Sequence, residues 1–209
     1  MRAPAATPRP IDVSHRLNEF FRESLDAAMR DERALATQAT SQYLVDLLCD
    51  YAKPTALTDE TLSRPLTLLL AEAHEARGSE RFERLRVLGD GALFIGGFFS
   101  EHLETRGVAL HYVSSVGARA YDGAALMLRR APAKTPGSPP DVFRELADNF
   151  TRFVDLLSRV ADALLANAAT TNRAVLKLYE RWLRTGSDSL ARALQERGLL
   201  PLRGDGMLH

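Results

Sequence analysis

Apolar side chains recur every three or four positions along most of this chain, strict alternation is nearly absent, and turn-forming residues fall between the periodic stretches. A period near 3.6 belongs to the amphipathic helix, so the pattern predicts an all-α protein of about seven to eight helices. The first is expected over residues 14–33, with Ser14 as N-cap and Leu17, Phe20, Phe21, Leu25 and Ala28 as its inner stripe. The second, over 37–52, buries Tyr43, Leu44, Leu47, Leu48 and Tyr51 and is stopped by Pro54. Ser63 then caps a helix reaching residue 76, with Pro65 in its first turn. Gly78 and Ser79 separate it from a long helix over 80–106 that ends at Gly107. A helix over 111–130 follows, with Tyr112, Val116, Ala120, Ala124 and Leu128 on one face. Phe143, Leu146, Phe150, Phe153, Leu157, Val160 and Leu164 predict one continuous bundle helix over 143–164. Helices over 171–184 and 187–197 complete the chain.

The helix over 80–106 is the expected centre of the fold. Its segment LRVLGDGALFIGGFFSEHL is apolar around most of its circumference yet holds Gly89, Gly91, Gly96 and Gly97. Glycine costs about 1 kcal/mol against alanine inside a helix, so four of them imply that something approaches this backbone closely. At about 100° per residue, Leu85, Gly89, Ala92, Gly96 and Leu103 share one ridge, which reads as a small-residue seam for helix packing. Asp90, Gly97, Glu101 and Glu104 form the polar strip opposite. Asp90 sits among Leu88, Leu93 and Phe94, where a carboxylate needs a cationic or hydrogen-bonding partner, and an ion pair with an arginine is the structural expectation.

Composition narrows the functional classes. The 209 residues are 45% apolar and 26% charged, with 27 cationic against 27 acidic side chains and no broad basic stretch of the kind that binds nucleic acid regardless of sequence. One helical-bundle domain is expected over residues 14–201. Residues 1–13 read as a disordered leader without the apolar core of a secretory signal, residues 131–140 (APAKTPGSPP) as a Pro/Gly linker, and 202–209 as a frayed tail. The longest apolar run, residues 91–99, is too short to cross a bilayer. A cytoplasmic location is therefore expected. The single cysteine, Cys49, reads as a buried structural thiol.

Known chemical motifs are missing. No histidine stands in Glu-x-x-His, His-x-x-x-His or His-Glu-x-x-His spacing, and neither GxGxxG nor GxxxxGK[ST] occurs, so no metal and no cofactor are expected. There is no G-x-S-x-G elbow. The segment SDSLARALQERGLLP lacks the second helix that a helix-turn-helix requires. In the helix over 171–184, Arg173, Lys177, Arg181 and Arg184 line one face, while Val175, Leu176, Tyr179, Trp182 and Leu183 line the other.

The segment LRVLGDGALFIGGFFSEHL, then HYVSSVGARAY and LYERWLRTGSDSLARALQERGLLP, resembles a family of uncharacterised bacterial all-helical proteins over about residues 40–201. The pattern (LGD-x-x-LF-x-x-GFF and its sequel) falls on Leu88, Gly89, Asp90, Leu93, Phe94, Gly97, Phe98, Phe99, Tyr112, Gly117, Ala120 and Tyr121, with His111 where a second aromatic residue is expected. The resemblance implies the fold class and a bacterial origin, and no activity.

Three functional expectations result. The first is a non-enzymatic protein acting through a protein partner or self-association, as regulator, adaptor or assembly subunit, with the 143–164 stripe or the Tyr179/Trp182 face as the contact. The second is a small-molecule binder or enzyme whose apolar pocket lies beside the central helix and is formed by Asp90, Phe94, Gly97, His102, Tyr112 and Tyr121. Asp90 and His102 lie about 120° apart on one helix, so that pocket would have to wrap around it. The third is docking on anionic lipid or nucleic acid through Arg173, Lys177, Arg181 and Arg184. A pocket predicts a cavity of about 300 Å³ or more beside Gly96 or Gly97, whereas close packing predicts a neighbouring helix there.

Overall fold

The computed structural model describes residues 10–32, 36–53, 64–130 and 141–201, and all regular structure among them is helical. The ten described helices are α1 (Pro10–Glu32), α2 (Gln38–Tyr51), α3 (Leu66–Glu75), α4 (Gly78–Phe98), α5 (Ser100–Thr105), α6 (Leu110–Arg130), α7 (Val142–Asp148), α8 (Phe150–Ala168), α9 (Asn172–Thr185) and α10 (Asp188–Gln195). None of them is long and apolar enough to cross a membrane. The expected cap at Ser63, the stop at Pro54, the linker 131–140 and the tail 202–209 lie outside the described residues.

The chain divides into two compact units, residues 1–157 and 158–209, with the division inside α8. In the first unit α4 is the centre. It packs along α6 and against α3 and α2, while α7 packs on α6 and α1 on α2. Residues 88–97 of α4 are all buried, as a helix apolar on every side requires. The second unit closes around Ala169, Leu178, Trp182, Leu190, Ala193 and Leu194. Arg197 reinforces it by donating to the carbonyls of Ala166, Ala169 and Ala193.

Two expected helices are each divided in two. The central one ends at Phe98, eight residues before Arg106, because Phe99 leaves helical geometry (φ −127°, ψ 25°). Phe94 stacks on Phe98 with ring centroids 4.7 Å apart and meets Phe99 edge-on at 5.8 Å. In an unbroken helix residues five apart point about 140° away from each other. The break is what lets both rings reach Phe94. The 143–164 helix is interrupted at Asn149 (φ −119°, ψ 25°), whose side-chain amide donates to the carbonyl of Glu145 alongside its own backbone N–H. Asparagine favours such local bonds over continuing a helix. The apolar stripe survives the break: Phe143, Leu146, Phe150, Phe153, Leu157 and Val160 are buried and Leu164 is half-buried, so most of that stripe is core.

Smaller differences concern the termini. Helix α1 begins at Pro10, so Ser14 lies within its first turns and not at its cap, and residues 10–13 belong to a helix instead of a leader. Gly78 and Ser79 open α4 where a separator was expected. Gly107 follows α5 with φ +70°, the left-handed conformation expected of a glycine just past a helix end.

A link between distant segments holds α2 to α7. Glu145 accepts from the Thr37 backbone N–H (2.9 Å), the Thr37 hydroxyl (2.6 Å) and the Thr40 hydroxyl (2.7 Å), while the Thr37 oxygen caps α2 by accepting from Thr40 N–H. Burial pushes the Glu145 carboxyl up, but these three donors outweigh it and hold the group below its ordinary value of 4.5. A depressed carboxylate stabilises the fold fully above its unfolded pKa, and that stabilisation is lost as pH falls through the folded value. Glu145→Gln should therefore cost about 1 kcal/mol near neutral pH. In acid titrations followed by circular dichroism, the variant should lose less stability than the parent as pH falls below 4.5.

Candidate functional site

Asp90 is the most buried carboxylate of α4, at 5% exposure, and three donors converge on it. Tyr43 of α2 and Tyr121 of α6 donate their hydroxyls to Oδ1 at 2.6 and 2.7 Å, and Arg86, one turn earlier on α4, donates from Nη1 to Oδ2 at 2.7 Å. Arg86 is held in turn by Glu83. The Tyr121 ring reaches this position only because residue 89 is glycine. A Cβ there would lie 2.6 Å from the ring. Phe143 packs against the rings of Tyr43 and Tyr121 (centroids 5.4 and 5.9 Å) and Phe150 against Tyr121 (5.9 Å), which orients both hydroxyls.

The electrostatics make this cluster quiet. Burial raises the Asp90 carboxyl, and the Tyr43 and Tyr121 hydroxyls and the Arg86 cation pull it back. Burial, then the neighbouring Asp90 charge, raises Tyr43 and Tyr121 well above the usual phenol range, so both remain donors. The Glu83 carboxylate, followed by Asp90, raises Arg86 further against the opposing effect of burial. Each of these groups is bonded to another member of the cluster. The groove above them, lined by Tyr43, Asp46, Asp50, Tyr51, Arg86 and Asp90 among others, has a volume of about 210 Å³. That is smaller than the roughly 300 Å³ at which small-molecule sites begin.

The other expected pocket residues are distributed elsewhere. Phe94 is buried between the stacked rings of Tyr51 (4.4 Å) and Phe98. Gly97 faces Leu157, whose Cβ would lie 2.5 Å from a Cβ at position 97, and Gly96 faces Val154 at 3.2 Å. A neighbouring helix thus occupies the space beside both glycines. His102 is exposed on α5 and does not line the groove over Asp90. The Tyr112 hydroxyl meets the backbone N–H (3.3 Å) and hydroxyl (3.4 Å) of Thr67, tying α6 to α3. Asp90 and Tyr121 are therefore brought together, and His102 and Tyr112 are not joined to them. Tyr43, Arg86 and Glu83 complete the cluster. The sequence led to an arginine partner without naming it; the i, i+4 spacing is the signal that could have picked out Arg86, whereas nothing local marks Tyr43.

Cys49 is half-buried, accepts weakly from the Asn18 amide at 4.0 Å, and has its thiol pushed up by burial, which disfavours the thiolate. Among the described residues no group of three His, Cys, Asp or Glu side chains is placed to hold a metal ion.

The basic face of α9 differs from expectation at one position. Arg173, Lys177 and Arg184 are exposed, but Arg181 is buried at 9% and its Nε donates to Asp162, itself 3% exposed. Arg181 projects about 80° around the helix from Arg173, toward the side that carries Leu178 and Trp182, so it falls at the edge of the core. Tyr179 is half-buried and its ring lies 5.4 Å from that of Trp182, which is buried. The exposed face consists of Arg173, Leu176, Lys177, Glu180, Leu183 and Arg184.

Because a Cβ at position 97 would meet the Leu157 backbone as well as its side chain (3.3 Å from the carbonyl carbon), the helix cannot yield by a rotamer change alone. Gly97→Ala should destabilise the protein by about 1–3 kcal/mol in urea unfolding, against the few tenths gained where an exposed helical glycine is replaced. No protein-family model matches this chain, and no match to it was found among curated proteins or solved structures.

Proposed function

We infer that this protein acts without chemistry of its own, by docking another protein on the outward face of α9. The observation that carries this reading is a pair of exposed leucines one heptad apart, Leu176 at 56% and Leu183 at 42% exposure, set between Arg173, Lys177 and Arg184. Exposed leucines at i and i+7 form the contact stripe of a helix that meets a second helix or groove. The flanking cations make the face complementary to an acidic, amphipathic segment.

Charge and area argue against the other occupants. Arg173 and Lys177, which outnumber Glu180, would repel the same face of a second copy. On an anionic membrane Glu180 would be driven against lipid phosphate, and two leucines insert little apolar area. The quiet state of the Asp90 cluster supports a role in binding over one in catalysis.

Photo-crosslinking from p-benzoylphenylalanine at position 176 of the full chain, in its host cells, tests this. One other polypeptide should be captured, with acidic residues at the point of attachment. Capture should disappear when Arg173→Glu and Lys177→Glu are combined. Adducts formed only with a second copy or with lipid, or a yield indifferent to charge reversal, would contradict the reading.

A further inference from the structure

The geometry points to a binding site for a phosphate-bearing ligand at the start of α4, in the first unit and separate from the α9 face. A concave site of about 490 Å³ lies where α3, α4 and α6 meet, within the range of small-molecule sites. Arg77 and Arg81 enter it from the α3–α4 junction and Arg119 from α6. Arg77 and Arg119 are exposed and make no ion pair with any described residue, so their charges are directed at solvent within the cavity. Among the described residues Asp122 is the one carboxylate on the wall, and it is paired with Arg144 at 2.7 Å.

Two further features favour an anion. Arg81 donates from Nη2 to His74 Nδ1 at 3.0 Å, which leaves the histidine's other nitrogen as an N–H donor, and Arg81 Nε is buried with no hydrogen-bond partner among the described residues. The backbone adds to this. Arg77 occupies the N-cap position without a side-chain capping bond, and Gly78 follows at φ +57° with nothing within 4 Å of the place a Cβ would take. The positive end of a 21-residue helix is thus left uncapped beside three guanidinium groups. Leu126, 45% exposed, and Met127 supply an apolar wall, so the site fits a phosphate joined to an apolar body better than a bare ion.

Hexyl phosphate titrated calorimetrically into the full chain should bind at one site. Arg77→Ala and Arg119→Ala should each weaken binding about tenfold or more, a loss of about 1.4 kcal/mol. Because both side chains are exposed and unpaired, the circular dichroism and Tm should not change. Arg173→Ala, in the other unit, should bind like the parent. Vesicles containing phosphatidate separate a lipid headgroup from a soluble ester as the source. Binding to vesicles alone, lost in Arg119→Ala, still supports the site and assigns it to lipid. Binding indifferent to both arginine variants, or no binding to either probe at about 5 mM, overturns the proposal.

Discussion

One negative charge placed inside the protein organises the first unit. An isolated carboxylate in an apolar interior is prohibitively costly, so Asp90 exists there only because donors surround it. Those donors come from three helices: Tyr43 from α2, Tyr121 from α6 and Arg86 from α4 itself. The requirement fixes where α2 and α6 must lie along α4. It also explains Gly89, since the Tyr121 ring rests on the backbone at that point. The aromatic residues around the cluster, Phe143 and Phe150, then belong to the same arrangement, and through them α7 and α8 are joined to the buried charge.

The central helix was legible because a run apolar on all sides has few alternatives, and its glycines announced a close neighbour before that neighbour was known. An arginine partner for Asp90 was expected as well, though not which one; it is Arg86, one turn away. Interactions between distant segments were not. Tyr43 lies 47 residues from Asp90 and Glu145 lies 108 from Thr37, and no local pattern distinguishes either from an ordinary helical residue. The breaks at Phe99 and Asn149 were hidden for a related reason. Both segments keep their apolar period through the break, so periodicity reads them as continuous while a ring contact and a side-chain amide bond end the helices. Arg181 was misplaced because steps of four residues drift around the helix, carrying the third cation of the row into the core beside Asp162.

The same physics separates framework from surface. The groups with shifted protonation equilibria at Asp90 bond to one another, which ties α2, α4 and α6 together. Cations that face solvent without such ties include Arg77 before α4 and Arg119 on α6, which line one cavity, and Arg173 and Lys177 on α9. Although the chain carries no net charge, several of its exposed cations cluster at these two places, one of them a concave site. A concave site suits a small anion and a convex, leucine-bearing face suits a protein surface. The two features are independent of each other, and each stands on residues of a single unit.

The central claim is that Asp90 and Tyr121 hold the fold together as a pair. A double-mutant cycle of Asp90→Asn and Tyr121→Phe, measured by urea unfolding, tests it most directly. The account predicts a coupling energy of about 1 kcal/mol or more, because each change removes a partner that the other depends on. Effects that add to within about 0.3 kcal/mol would mean that the two side chains act separately. The buried carboxylate would then not be the interaction on which the arrangement of α2, α4 and α6 rests.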